Sequence, residues 1–204
     1  MSAFYEDYWK EKKSDVLDDF GYKWPVLKNY IPLKEGLKIL DYGCGAGKLL
    51  RELKSSKPNN KYFGADVSKE ALLRAKKTLP GVRFLAAQDG KKIPISSGSL
   101  DFILAADVIE HVYDTKLLFQ EFFRILKKGG EILITTPYHG LIKNLAIVFL
   151  GFEKVFDPTG PHIRFFTVNS LRRSLIEAGF RVAKVGYFGR FYPLSRGFIV
   201  VAKK

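Results

Sequence analysis

An aspartate and three glycines near residue 45 are the residues of this chain best suited to binding chemistry. Asp41 is followed by Gly43, Gly45 and Gly47, with Cys44 inside the turn. Glycine accepts a positive φ and has no Cβ where a ligand must approach the main chain. Apolar residues precede the glycines and leucines at helical spacing follow, which predicts a strand, a turn and a helix. The unpaired N–H groups at the start of such a helix favour a nucleotide-like cofactor.

The aspartate ahead of the turn indicates which cofactor the loop accepts. The loop reads G-x-G-x-G, whereas a dinucleotide turn reads G-x-G-x-x-G, and its sixth position here is Lys48. The carboxylate of Asp41 would repel a pyrophosphate and attract a cofactor with cationic groups. The α-ammonium of S-adenosylmethionine is such a group, so the sequence favours this cofactor. Cys44 is interpreted as a small spacer in the turn.

Acidic residues also follow the next two predicted strands. Asp66 ends a strand over 61–65, about twenty residues past the glycines, where doubly wound sheets place an acid on the ribose hydroxyls. Asp89 follows a strand over 82–86 and can accept a hydrogen bond from an adenine amino group. Gly90 beside it lets the backbone approach the ring. The sequence therefore predicts a cofactor site along one edge of a sheet.

The histidines are predicted to lie at the same edge. The chain has three of them, His111, His139 and His162. A base is needed where a reacting group must lose a proton, and an imidazole is the usual one. His111, which follows the buried strand predicted over 100–106, is the first choice, and His162 is the second. Asp107, Glu110 and His111 also suggest a divalent cation site, although the alternative of a capping aspartate with a solvated glutamate is preferred and no metal is assigned.

Composition bounds the class of protein and its partners. The 204 residues are expected to form a single domain over 1–204. The formal net charge of +13 favours an anionic partner, either nucleic acid, a membrane surface or an acidic substrate, unless it is only a solvated basic surface. The single cysteine excludes an internal disulfide, and with no leader pattern at the N-terminus a cytoplasmic location is expected.

Two segments are predicted to cover the site. Residues 3–20 and 26–31 predict helices that form an N-terminal flap over 1–31, with Tyr8 facing the substrate. Residues 138–166 form an apolar insertion, from which His139 and Arg164 are assigned to the substrate. Such an apolar stretch indicates a packed lid, or a contact with a membrane interface that would suit an amphiphilic acceptor.

The remaining elements alternate along the chain. A helix capped by Asp114 or Thr115 is predicted to end in Lys127, Lys128 and Gly129, because lysines and a glycine are typical of a helix C-terminus. Ser68 and Thr167 are predicted to cap two further helices. The last two strands, over 180–187 and 196–203, are joined by a loop too short for a helix, so they are expected to pair antiparallel.

Together these motifs resemble the class I S-adenosylmethionine-dependent methyltransferases, particularly the small ubiquinone-biosynthesis O-methyltransferases. The matching stretches are 39–47, 64–67, 88–90, 101–111, 124–137 and 162–167. The resemblance implies an α/β fold, a doubly wound, seven-stranded Rossmann-like sheet of order 3-2-1-4-5-7-6. The last strand would be antiparallel, with helices on both faces.

The resemblance also implies roles for residues. Asp41 and the loop 43–47 would hold the methionine end of the cofactor, Asp66 with Val67 the ribose, and Asp89 with Gly90 the adenine. The backbone of Ala105–Ala106 would lie near the methionine moiety. The ubiquinone-pathway enzymes carry a run similar to 107–111, which is associated there with a divalent metal.

The predicted function is methyl transfer from S-adenosylmethionine to oxygen or nitrogen of a small-molecule or lipid-like acceptor. An RNA methyltransferase is one alternative, suggested by the net charge. No Asn/Asp-Pro-Pro-aromatic motif follows the fourth strand and no spare cysteine is present, which disfavours methylation of bases. A non-catalytic S-adenosylmethionine-binding protein is the other alternative. The sequence does not determine the acceptor or the oligomeric state.

Overall fold

A seven-stranded mixed sheet forms the centre of the part of the chain that the structure describes. The computed structural model describes residues 2–12, 14, 20–88, 90–157 and 160–204. The strands are β1 (Lys38–Tyr42), β2 (Lys61–Asp66), β3 (Arg83–Ala86), β4 (Leu100–Ala106), β5 (Leu126–Pro137), β6 (Arg181–Phe188) and β7 (Gly197–Lys203). Their order is β3-β2-β1-β4-β5-β7-β6. Strands β1 to β5 are parallel and β7 is antiparallel to both neighbours, which confirms the predicted topology.

Helices connect the strands. They are α1 (Ser2–Glu11), α2 (Phe20–Leu27), α3 (Lys48–Ser56), α4 (Lys69–Thr78), α5 (Thr115–Ile125), α6 (Leu141–Leu150), α7 (Phe152–Val155) and α8 (Val168–Glu177), with 3₁₀ turns at Lys28–Tyr30 and Ile109–His111. The predicted caps are confirmed. Ser68 and Thr167 each accept a backbone N–H in the first turn of α4 and α8, and Asp114 is the residue that caps α5.

Apolar side chains cover both faces of the sheet. Along β4, Phe102 and Leu104 point to one side and pack with α3, whereas Ile103 and Ala105 pack on the other side with α5. Phe102 is fully buried, and burying a side chain of this size contributes about 1.5–3 kcal/mol. This two-sided burial explains why the sequence of β4 is apolar throughout, and it confirms helices on both faces.

The N-terminal helices differ from the prediction. Helix α1 ends at Glu11, and the carbonyl of the next residue, Lys12, accepts a hydrogen bond from Arg74 of α4 (2.7 Å). The part of the predicted 3–20 helix at 15–19 lies outside the described residues. Helix α2 spans Phe20–Leu27 and therefore includes residues before the predicted start at 26, and Tyr22 stacks against Phe188 of β6. Tertiary contacts therefore tie both helices to the rest of the fold.

The predicted end of α5 at 127–129 is wrong. The helix ends at Ile125, and the chain enters β5 at Leu126, which pairs with Leu100 of β4. The register then shifts before Glu131 pairs with Phe102, and Gly129 lies in this irregular step with φ 78°. Pairing with β4 extends the strand through residues whose local pattern resembles a helix end.

The insertion over 138–166 contains α6 and α7, which the sequence analysis did not predict. The Lys143 ammonium ties α6 to the sheet by donating to the carbonyl of Tyr138 (2.7 Å) and to that of Arg196 (3.3 Å).

Among the helices of the described residues, none combines the length and the apolar composition that a membrane span requires.

Candidate active site

A cavity of about 420 Å³ lies at the carboxyl ends of β1, β2 and β4. This volume falls in the range of small-molecule and cofactor pockets. Its sheet-side wall consists of the residues that follow these strands, and α1 and α2 form the opposite wall. The residues that line it include Tyr5, Tyr8, Trp9, Lys23, Gly43, Cys44, Gly45, Asp66, Val67, Ala106, Asp107, His111 and His162. The topology therefore gathers most of the predicted site residues around one space.

The glycine loop presents bare backbone to the cavity. Gly43, Gly45 and Gly47 all have positive φ, at 78°, 51° and 82°. The N–H groups of Gly43 and Cys44 donate to the carbonyl of Ala65 (2.7 and 3.0 Å), which fixes the turn against β2. A Cβ at Gly45 would lie 2.6 Å from a ring carbon of Trp9 on α1. The loop and the N-terminal helix therefore pack too closely for any residue other than glycine.

Asp41 is a buried carboxylate beneath this loop. Its residue is 1 % exposed, and neither side-chain oxygen has a hydrogen-bond partner among the described residues. Burial, and then the charge of Asp66, raises the pKa of Asp41 to about 8. A buried polar group without a partner is costly. Asp41 does not itself line the cavity but lies beneath Tyr42 and Gly43, which do. A cationic ligand group bound over the loop would offset the cost of this carboxylate, which is chemistry that suits the ammonium end of S-adenosylmethionine.

Asp66 lines the cavity beside the loop. Its carboxylate accepts the N–H of Gly45 (2.8 Å) on one oxygen and the N–H of Ser68 (2.9 Å) on the other. A carboxylate oxygen has two lone pairs, so each can accept a further hydrogen bond. Burial raises the pKa of Asp66, while hydrogen bonds from the backbone N–H groups of Ser68, Gly45 and Val67 oppose that rise. The geometry suits a pair of ribose hydroxyls, with Val67 beside them; this role stays a prediction.

The predicted adenine end is described only in part. Asp89 lies outside the described residues. Gly90 lines a second cavity of about 320 Å³, which shares Tyr42 and Val112 with the first. Ala106 lines the main cavity, whereas Ala105 is buried in β4.

Cys44 lines the main cavity and is buried. Burial, followed by the charges of Asp41 and Asp66, raises the pKa of its thiol well above the ordinary value. A neutral thiol is a poor nucleophile, which agrees with the interpretation of Cys44 as a spacer.

His111 and His162 meet at the other end of the cavity. Their ring centroids are 4.9 Å apart, and the Nδ1 of His111 lies 2.9 Å from the carbonyl oxygen of Pro161. Because a carbonyl oxygen only accepts, Nδ1 carries the proton and Nε2 keeps a lone pair. Burial lowers the pKa of both imidazoles. Neutral His111 can therefore accept a proton at Nε2.

Glu110 completes this cluster from beneath and is buried, so the expectation of a capping Asp107 with a solvated Glu110 is wrong. One oxygen accepts the Thr136 hydroxyl (3.0 Å), and the other is buried without a partner among the described residues. Within the part of the chain described, donor atoms of Glu110, His111 and His162 lie within 4.8 Å of one another. Asp107 is not a member of this group, because its carboxylate contacts the Lys23 ammonium and the Thr135 hydroxyl instead.

Of the three residues predicted to contact the substrate, one lines the cavity and two do not. Tyr8 lines the cavity, together with Tyr5, whose ring meets His111 edge-on at 5.5 Å. His139 is buried outside the cavity lining, 5.0 Å from the ring of Phe165. Arg164 donates to the carbonyl of Val112 (2.9 Å) and does not line the cavity. The structure therefore brings the first of these residues to the site and not the other two.

Sequence reasoning missed Tyr5 and Lys23. The aromatic residues of α1 signalled a covering helix, but the chain gives no local reason to choose Tyr5 over Tyr8. Lys23 lies in a run of aromatic residues, and a single lysine in such a run is the signal that could have indicated a buried, paired cation. Helix α1 is held in place by Glu6, whose carboxylate accepts the Ser68 hydroxyl (2.9 Å) at the start of α4.

Comparison with known proteins identifies the family. A family model described as a methyltransferase domain matches residues 11–185. A ubiquinone biosynthesis O-methyltransferase of Dinoroseobacter shibae is 32 % identical over 185 residues, covering 83 % of this chain and 69 % of the relative. One of Chelativorans is 30 % identical over 153 residues, covering 71 % and 59 %. The crystal structure of a SAM-dependent methyltransferase from Aquifex aeolicus shares the fold, with a TM-score of 0.73, 24 % identity and 97 % of each chain covered.

The chain is shorter than its curated relatives. It spans 59 % of the Chelativorans enzyme and 47 % of a matched protein of Methanocaldococcus jannaschii. The family match nevertheless covers the glycine loop, Asp66 and the histidine cluster. The chain therefore belongs to the class I S-adenosylmethionine-dependent methyltransferases, and S-adenosylmethionine is its cofactor.

Proposed function

We propose that this chain methylates an oxygen or nitrogen of a small or amphiphilic acceptor and that His111 is the base. The observation that carries the proposal is a single cavity with the glycine loop at one end and His111 and His162 at the other. When bound, S-adenosylmethionine supplies a methyl group already activated on a cationic sulfur. The chain then has to bind and orient the two reactants, which is worth up to about 7–11 kcal/mol in favourable reactions.

The residues of the chain divide this work. The loop 43–47, Asp41 and Asp66 would hold the cofactor, and Trp9 and Tyr8 would cover it. A hydroxyl acceptor loses its proton as its oxygen is methylated, and Nε2 of His111 would receive that proton. The hydrogen bond from Nδ1 to Pro161 keeps the ring in the tautomer that this role requires. His162, one ring away, would bind the acceptor or share the proton.

Radiolabelled methyl transfer into separated lipid, RNA, protein and small-molecule fractions tests the function. We expect label in the lipid or small-molecule fraction. Label in RNA would support the alternative of an RNA methyltransferase. Binding of S-adenosylhomocysteine without transfer to any fraction would support a non-catalytic protein.

Substitution of histidines then tests the base. His111→Asn should slow transfer at least tenfold and remove the lower limb of the pH–rate profile, because the proton acceptor is lost. His139→Asn is the matched control, since His139 lies outside the cavity lining and should leave the profile unchanged. Equal effects of the two substitutions would rule out His111 as the base.

An exposed apolar patch on the insertion supports an amphiphilic acceptor. The patch consists of Leu141, Ile142, Leu145, Val148, Phe149, Leu150 and Phe152. Phe149 and Leu150 are 81 % and 86 % exposed, and patches of this kind mark interaction surfaces. The charges of Arg190 and Arg196 act on Lys143 of α6, so cations lie beside the patch. Apolar residues flanked by cations suit the interface of an anionic membrane, and two of the relatives named above are ubiquinone biosynthesis O-methyltransferases.

Liposome sedimentation at low salt tests this contact. We expect the wild-type protein to sediment with vesicles that contain anionic lipid, and Phe149→Asp to abolish sedimentation. Leu33→Asp is the control, because Leu33 is 87 % exposed but lies outside the patch. If the wild-type protein stays in the supernatant, the segment is only a lid and the acceptor is a soluble small molecule.

A further inference from the structure

Lys23 is a buried cation in the wall of the active-site cavity. The residue is 4 % exposed and reaches from α2 to donate to a carboxylate oxygen of Asp107, which is 84 positions along the chain. Its ammonium also lies 5.9 Å from the ring centroid of Phe188. A lysine is rarely buried unless it is paired. This lysine is paired with a residue at the point where the cavity meets the end of β4.

Asp107 is held in an unusual backbone conformation. It has φ 53°, and among the described residues no other residue except glycine has a positive φ. Its N–H donates to the Thr135 carbonyl (3.0 Å), and the Thr135 hydroxyl donates to the second carboxylate oxygen (2.6 Å). Such a conformation persists where the surroundings enforce it, commonly at functional sites. Lys23 and Thr135 together fix the direction of this carboxylate.

The same carboxylate is the oxygen ligand that a divalent ion in the run 107–111 would need. Both of its oxygens are already engaged, one by an ammonium and one by a hydroxyl. An ion bound there would have to expel a buried lysine and would lie beside its charge. The run therefore does not fit a divalent ion on Asp107, although Glu110 and His111 keep their places in the cluster with His162.

We propose that Lys23 is a positioning residue at the acceptor end of the site, the end of the cavity that contains His111 and His162. There its ammonium is the cation that the Asp107 carboxylate binds. It orients the Asp107 carboxylate and occupies the position on that carboxylate that a divalent ion would take. Because Lys23 belongs to α2, the acceptor end is complete only when the N-terminal segment is docked. The proposal depends on the proposed function only in placing the acceptor at this end of the cavity.

Titration with Mn²⁺ alone tests the proposal. Binding is measured as the loss of the electron paramagnetic resonance signal of the free ion. The wild-type protein should bind no ion more tightly than about 1 mM, the weak end of protein cation sites. Lys23→Met should create one saturable site at least about tenfold tighter, because the carboxylate is released beside Glu110 and His111. The double variant Lys23→Met/Asp107→Asn should lose that site. Lys48→Met is the matched control, since Lys48 lines the same cavity but pairs with Glu52 (2.6 Å).

Two results would overturn the proposal. One is a saturable Mn²⁺ site in the wild-type protein that Asp107→Asn removes. The other is a Lys23→Met protein that binds Mn²⁺ no better than the wild type does. Lys23→Ala, which likewise removes the donor to Asp107, replaces the methionine variant if the latter does not fold. Calorimetric binding of S-adenosylhomocysteine, measured in parallel, reports on the cofactor site separately, so failure of the proposed function is recognised independently.

Discussion

Asp41→Asn should stabilise the cofactor-free protein at neutral pH while it weakens cofactor binding. Both carboxylate oxygens of Asp41 are buried without partners among the described residues, and burial raises its pKa from 3.8 to about 8. The folded protein therefore holds a proton that the unfolded chain releases above pH 4. Asparagine has nearly the same shape and no proton to hold, so it avoids this cost.

The size of the effect follows from the pKa. Below 3.8 the carboxyl is protonated in both states, so it contributes no pH-dependent cost. Between that value and about 8 the free energy of unfolding falls as the pH rises, by about 1.36 kcal/mol per unit. At pH 7 roughly three units have been crossed, an upper limit of about 4 kcal/mol. We expect Asp41→Asn to raise the free energy of unfolding by about 2–4 kcal/mol at pH 7 and by little at pH 4.

Urea denaturation at pH 4, 5.5 and 7 measures this difference. Asp101→Asn is the control with the opposite sign, because hydrogen bonds from Lys127 and from the Lys38 N–H lower the pKa of Asp101 despite some desolvation. Its replacement should cost stability at neutral pH. An Asp41→Asn protein no more stable than the wild type at pH 7, or equally stabilised at pH 4 and pH 7, would refute the reasoning. In calorimetry the same variant should bind S-adenosylhomocysteine about 10- to 150-fold more weakly, the loss expected for a charged hydrogen bond.

Three further substitutions test the cofactor site. Asp66→Ala should weaken S-adenosylhomocysteine binding by about 1.5–3 kcal/mol in calorimetry, and an unchanged affinity would remove Asp66 from the ribose role. Gly45→Ala, with φ 51° and a Cβ 2.6 Å from Trp9, should weaken it at least tenfold, whereas Gly98→Ala, with φ 61° and open space, should not. Glu6→Gln should loosen α1 and raise acrylamide quenching of tryptophan fluorescence, since Trp9 lies in α1 and Trp24, the other tryptophan, lies in α2. Unchanged quenching would show that Glu6 does not hold the helix.

The sequence alone determined the order of the strands and the glycine loop. Ser68 and Thr167 mark the starts of α4 and α8 in the sequence, because the side chain of a cap accepts a hydrogen bond from an N–H within the next three residues. The strand that contains Phe102 is readable because burial on both faces requires an apolar run. The glycine loop is readable because its conformation is a property of its own residues. All of these signals act over a few residues, which is why they can be read without the fold.

Tertiary structure decided the boundaries that depend on distant partners. Gly129 follows two lysines and has the pattern of a helix end, yet pairing with β4 draws its segment into β5. The chain just after α1 likewise has a distant partner, since the Lys12 carbonyl accepts a hydrogen bond from Arg74 of α4. A local pattern states a preference of the order of 1 kcal/mol per residue, and a strand ladder or a buried contact outweighs it.

The acceptor end of the site was also decided by the fold. The sequence grouped Asp107, Glu110 and His111 because they are neighbours in the chain. The structure keeps Glu110 and His111 together, adds His162 from the insertion, and turns Asp107 toward Lys23 of α2. No local pattern relates positions 23, 107 and 162. Their contacts form because the sheet brings separate loops to one edge, and only the packed chain shows which charges meet there.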